Sequence, residues 1–146
     1  MAAQQEFRKL KKKLEGAIDR LPAIIMNVAA THFLQENFDK QQYDGIPWQP
    51  RKPRGHYRKD GSFIAAKNKR QSDNRAVLVK SGALRRSILT NNRILGNKII
   101  ISVLPYGEYH NEGVDKIPQR RFIGVDSKLK RKIDKSVDEV LRNISY

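Results

Sequence analysis

Two apolar stripes at helical spacing bracket this chain, and they restrict its fold more than any other feature. Phe7, Leu10, Leu14, Ala17, Leu21, Ile24 and Val28 recur every three or four residues, so one helix face gathers them while polar residues point away. Leu129, Ile133, Val137, Val140, Leu141 and Ile144 repeat the pattern near the other end, after Asp126 and Ser127, whose short side-chain oxygens suit a helix start. Pro22 interrupts the first stripe. A proline removes one intrahelical bond and clashes with the preceding turn, so this helix must kink there or restart with Asp19 near its cap. The first stripe could also form a seam with another subunit. It is short and broken by Pro22, which favours an ordinary helix facing its own core.

Between the stripes the pattern changes. Phe33, Leu34 and Phe38 extend the first apolar run until Tyr43-Asp44-Gly45 ends it. From Gly45 to Arg75 the sequence carries Pro47, Pro50, Pro53, Gly55 and Gly61 with little apolar periodicity, which predicts a long loop. Ala76-Val77-Leu78-Val79 is a short apolar run, and Ser81 can cap a turn that carries Leu84 and Ile88. Ile94-Leu95, a Gly96-Asn97 turn and Lys98-Ile99-Ile100-Ile101-Ser102-Val103-Leu104 read as a β-hairpin, its second arm rich in β-branched residues. Pro105 begins a helical turn that Gly113 stops, with Tyr106, Tyr109 and His110 on one side. The chain then leaves as a strand or extended arm ending at Gly124. The order of helix, loop, small antiparallel sheet and helix predicts one α+β domain over residues 1–146.

Charge sets the class of partner. Thirty Lys and Arg against fifteen Asp and Glu leave a formal charge of +15, which favours a polyanion or an acidic protein surface. Much of the excess lies within the predicted loop, where between Arg51 and Arg70 the basic residues Arg51, Lys52, Arg54, Arg58, Lys59, Lys67, Lys69 and Arg70 face Asp60 alone. Trp48, His56, Tyr57 and Phe63 are mixed with them, a combination that could stack on bases and neutralise phosphates. The Gly and Pro content supplies no fixed platform for reading a sequence, so contact with DNA would be nonspecific. With no Cys, disulfides, thiolate metal sites and cysteine nucleophiles are excluded. No stretch approaches the ~20 apolar residues of a membrane span, and none resembles a secretion signal, so a soluble protein without membrane partners is expected.

Four short elements occur in order: Ser81-Gly82-Ala83-Leu84-Arg85-Arg86-Ser87-Ile88, the hairpin, Tyr106-Gly107-Glu108-Tyr109-His110-Asn111-Glu112-Gly113, and Pro118-Gln119-Arg120-Arg121-Phe122-Ile123-Gly124. This order resembles the phage virion morphogenesis family, the tail-completion proteins of Mu-like phages and prophages, over roughly Trp48 to Gly124. That family has Arg-Pro-Phe where this chain has Arg120-Arg121-Phe122, which keeps the basic and aromatic groups. The resemblance implies a structural protein of tail completion or head-tail joining. It would form a homo-oligomeric ring, six-fold in the family's manner, at the head-tail junction or tail end of the virion, after assembly in the host cytoplasm. Tail or connector proteins would be its partners, with DNA passing through the channel. Trp48, Ser81, Gly82, Leu84, Ser87, Tyr106, His110, Gly113, Pro118, Phe122 and Gly124 become the structural positions. Phe122 is the large apolar group expected to be buried as the chain enters the last helix. Arg120 and Arg121 are expected to form an exposed basic pair that touches a partner.

No constellation calls for catalysis. His110 lies near Glu108, Glu112 and Asp115, yet a lone His beside exposed carboxylates lacks the further ligands a hydrolytic metal needs. It reads instead as a turn-fixing residue that hydrogen-bonds backbone near Gly113. Ser81 and Ser87 have no paired His and acid, and no Gly-rich phosphate loop occurs. The expectation is a non-enzyme without cofactor or metal. The competing expectation is a cytoplasmic nucleic-acid-binding module that grips phosphates with the basic loop and with Lys128, Lys130, Arg131, Lys132 and Lys135 of the last helix.

Overall fold

In the computed structural model, residues 2–51, 55–65, 76–79 and 81–144 are described. Helix α1 (Ala2–His32) carries Pro22 in its interior, so the chain bends at the proline rather than breaking, and Asp19 caps nothing. At its end the helix widens into a π-helical turn, Phe33–Phe38, whose extra residue per turn brings Phe33, Asn37 and Phe38 to the interior together. The sequence pattern did not reveal that widening.

Strands β1 (Gln42–Tyr43) and β2 (Ile46–Pro47) pair around Asp44 and Gly45, both at positive φ (50° and 84°), as a type I′ turn requires. A second hairpin, β3 (Gly55–Tyr57) with β4 (Phe63–Ala65), lies inside the stretch expected to be loop throughout, and that expectation is corrected there. Asp60 anchors its turn by accepting hydrogen bonds from Ser62 N–H and Oγ–H at 2.8 and 2.6 Å.

Helix α2 (Ala83–Thr90) is followed by the anticipated hairpin of β5 (Asn92–Leu95) and β6 (Lys98–Ile101), closed by Gly96-Asn97 with Leu95 opposite Lys98. The second arm stops at Ile101, short of the expected Leu104, because Pro105 opens the next helix after a short lead-in. Helix α3 (Pro105–Glu112) ends on Gly113 at φ 73°, and α4 (Ser127–Arg142) starts on Asp126. Among the described residues the strands form three separate two-stranded ladders rather than one sheet. The fold is α+β. No helix among the described residues is long and apolar enough to cross a membrane.

The core gathers Ala29, Ala30, Phe33 and Phe38 from the first helical segment with Trp48, Leu84, Ile88, Phe122 and Leu129. Helix α4 runs antiparallel along α1: Lys128 and Lys132 reach Glu36, while Ile144, past the end of α4, borders an open hollow with Leu10 and Lys13. At 1.5 Å per residue α1 spans about 46 Å and α4 only about 24 Å. The first stripe therefore divides. From Ala17 onward it is buried or half-buried, whereas Phe7, Leu10 and Leu14 stay exposed, as does Ile18 beside them, Phe7 at 69% and Ile18 at 54%. The expectation of a wholly core-facing helix is corrected for that N-terminal half.

Candidate functional site

The four sequence elements that lie far apart along the chain meet at Phe122. Its ring is fully buried (0% exposed) and meets Phe38 edge-on, with centroids 5.2 Å apart, while Phe38 meets Trp48 at 5.5 Å. Two amides pin its backbone. Asn111 Oδ1 accepts from the N–H groups of Phe122 and Ile123, both at 3.0 Å, and Asn37 Nδ2 donates to the Phe122 carbonyl at 3.0 Å. These amides satisfy buried backbone groups that a non-strand arm leaves unpaired. The stretch from Pro118 to Gly124 is thus an extended arm held by side chains. Pro118 is half-buried within it.

Glycines let the elements approach. A Cβ at Gly107 would lie 2.6 Å from Leu84 Cδ1 and 3.3 Å from the Phe122 ring. At Gly113 it would meet Gln119 Cα at 2.9 Å, on a φ that side chains already resist. At Gly124 it would collide with the Tyr43 hydroxyl. Gly82 caps α2 at φ 69°, and Ser81 Oγ accepts from Ala83 N at 3.3 Å, a local turn just ahead of that cap. Leu84, Ser87 and Ile88 are buried, with Ser87 Oγ donating to the Leu84 carbonyl at 2.7 Å.

The basic pair of the arm is split. Arg120 is 6% exposed, so the expectation of an exposed pair is corrected for it. Its Nε donates to the Gln49 carbonyl at 2.9 Å and its Nη2 to the Pro50 carbonyl at 3.4 Å, which ties the arm to the segment after Trp48. Trp48 Nε1 completes that clasp by donating to the Arg121 carbonyl at 2.8 Å. Arg121 itself is exposed, its guanidinium 5.4 Å from the centre of the Tyr43 ring.

His110 also departs from expectation. Its backbone carbonyl accepts from Arg120 N at 2.7 Å, but its buried Nδ1 has no partner among the described residues, and the Gly113 turn is held by backbone bonds to the Tyr109 carbonyl instead. Burial first, and the Arg120 charge second, hold its pKa below the ordinary 6.5, so the ring is neutral at pH 7. Tyr106 and His110, one helical turn apart on α3, line a cleft of about 400 Å³ with Arg51, Arg120, Val77 and Leu78. Gln41 secures the far wall: its side-chain amide accepts from Val77 N and donates to the Val77 carbonyl.

Of the basic loop, Arg51 borders this cleft and donates to the Ala76 carbonyl at 3.3 Å, while Arg58 and Lys59 are exposed at the β3–β4 turn. Lys52, Arg54, Lys67, Lys69 and Arg70 lie outside the described residues. On α4, Lys128 and Lys132 each approach Glu36 to 3.7 Å, so part of that basic face is already offset. The sequence reading missed one pair altogether. His32 Nε2 donates to Asp126 Oδ2 at 2.8 Å, both side chains buried, while Asp126 Oδ1 caps α4 by accepting from Leu129 N at 2.7 Å. Nothing in sequence spacing links positions 94 residues apart. Among the described residues no three His, Asp or Glu side chains group together. Comparison with protein-family models, with curated proteins and with solved structures finds no match to this chain.

Proposed function

We propose that the protein is a structural subunit of a tailed phage or prophage that acts in tail completion or head-tail joining, and that it does so as a homo-oligomer built through α1. The observation that carries the self-assembly is the exposed stripe of Phe7, Leu10 and Leu14, with Ile18 beside it, on a helix about twice as long as the α4 that packs along it. A contiguous apolar face of this kind marks an interaction surface. A second copy presents the same face and covers it without any other component. The phage role rests on the resemblance in motif order. It is supported by the way Leu84 and Phe122 share one core that Gly107 lets close, while Gly113 and Gly124 admit Gln119 and Tyr43, since motif residues that build the subunit are what an assembly protein needs.

The test pairs sedimentation with assembly. The wild-type protein should sediment as an oligomer and appear as rings by negative-stain electron microscopy, free or on tails. Leu10→Asp with Leu14→Asp should leave melting nearly unchanged, because both side chains are exposed in the subunit, yet yield monomers that no longer join heads to tails. A double variant that sediments and joins as the wild type does would refute the role of α1. Oligomers that form normally but never attach to tails would refute the phage reading and spare the self-assembly.

A further inference from the structure

The cleft beneath α3 holds positive charge that no described residue balances. Arg51 and Arg120 both border it, and among the described residues no carboxylate lines it or pairs with either guanidinium. Backbone carbonyls engage Arg120 through Nε and Nη2, and Arg51 through Nη2, so the Nη1 group of each has no acceptor among the described residues. His110 adds a buried Nδ1 without a partner among the described residues. Ser81 and Tyr106, which carry hydroxyls, line the same cleft. Burial and the charge of Arg51 both work against protonated Arg120, and Arg120 in turn works against protonated His110. Like charges gathered in a half-enclosed space raise the local potential, and a bound anion lowers it.

The remaining wall selects among anions. Val77 and Leu78 are apolar, and the Tyr106 ring adds to them. Leu78 is held there at φ 64°, a conformation that leucine resists. Inorganic phosphate would leave this wall uncovered, and a DNA duplex presents its phosphates on a broad convex ridge that a cleft of about 400 Å³ does not admit. A carboxylate matches the planar forks of two guanidiniums, and an apolar body attached to it would cover Val77 and Leu78. We propose that this cleft is a docking site for a carboxylate borne on an apolar segment of a partner protein, an acidic side chain flanked by hydrophobic residues. The site is formed within one subunit and does not depend on the phage role.

The experiment uses the full chain labelled with ¹⁵N and titrated with 4-phenylbutyrate, its neutral amide, inorganic phosphate and a short DNA duplex. Phenylbutyrate should saturate, shift the amides of Val77, Leu78 and His110, and raise the His110 pKa, so that its affinity tightens as the pH falls toward that pKa. The neutral amide should bind at least about tenfold more weakly, because the charge-assisted bonds are lost. Arg120→Met would release the part-buried Gln49 and Pro50 carbonyls, whereas Arg51 is exposed and gives up one bond to the exposed Ala76 carbonyl, so Arg51 carries the test. Arg51→Met should keep the spectrum of a folded chain and weaken phenylbutyrate by about tenfold. Three results would overturn the proposal: equal binding of acid and amide, phosphate or DNA competing as well as the carboxylate, or a His110 pKa that does not move on saturation.

Discussion

Removal of the Phe122 ring tests the central packing argument most directly. The ring is fully buried, in contact with Phe38 and close to Gly107, and truncation of such a side chain costs about 3–5 kcal/mol. The upper part of that range is expected here. The cost depends on how far the surroundings can collapse, and the Phe122 backbone is tethered on one side by Asn111 and on the other by Asn37. A domain of this size has a total stability of about 5–15 kcal/mol, so Phe122→Ala removes a large share of it. At about 2–4 °C per kcal/mol, melting should fall by roughly 6–20 °C. Trp48, the only tryptophan, sits in the same aromatic cluster and reports unfolding in urea through its fluorescence. The loss should be the same over about a hundredfold range of protein concentration, because the ring packs within the subunit. A loss below about 1 kcal/mol at every concentration would mean that the ring is neither core nor interface, and one that shrinks as concentration rises would place it at a subunit interface; either would refute the reasoning.

The two arginines of the arm should behave unequally. Arg120→Ala deprives two backbone carbonyls of a donor and should cost about 1–3 kcal/mol, whereas Arg121→Ala should cost less than about 1 kcal/mol. Equal losses in denaturant unfolding would contradict the split. The buried pair of Asp126 and His32 should give acid sensitivity. Burial alone would raise the Asp126 pKa, but hydrogen bonds from Leu129 N–H and from His32 outweigh it and hold the carboxyl below its ordinary 3.8. A depressed folded pKa means that this contribution is fully present above about pH 4 and is lost as the pH falls further. Wild-type urea midpoints should therefore drop more steeply below about pH 4 than those of Asp126→Asn, which still caps α4 through its amide oxygen. Parallel profiles would rule out the pair as the source.

Local rules reached the elements but not their meeting points. The stripe from Leu129 to Ile144 and its Asp126 cap, the Gly96-Asn97 hairpin, and the short helix from Pro105 to Gly113 all follow from periodicity and from turn residues acting over a few positions. The burial of Phe122 was also legible, because a large apolar group ahead of an amphipathic helix has few other places to go. Tertiary structure alone decided the rest. Arg120 reads as a surface cation until Gln49 and Pro50, about seventy residues away, present their carbonyls to it. His110 looks like a turn-fixing residue until the arm brings Arg120 against α3 and Arg51 closes the other side of the cleft. The apolar stripe of α1 carries no mark of where its cover ends, since that boundary is set by the length of α4 and by the direction in which Asp126 and His32 dock it. Hydrophobic spacing records which side of a helix seeks burial; what buries it depends on contacts between distant segments, and those exist only once the chain has folded.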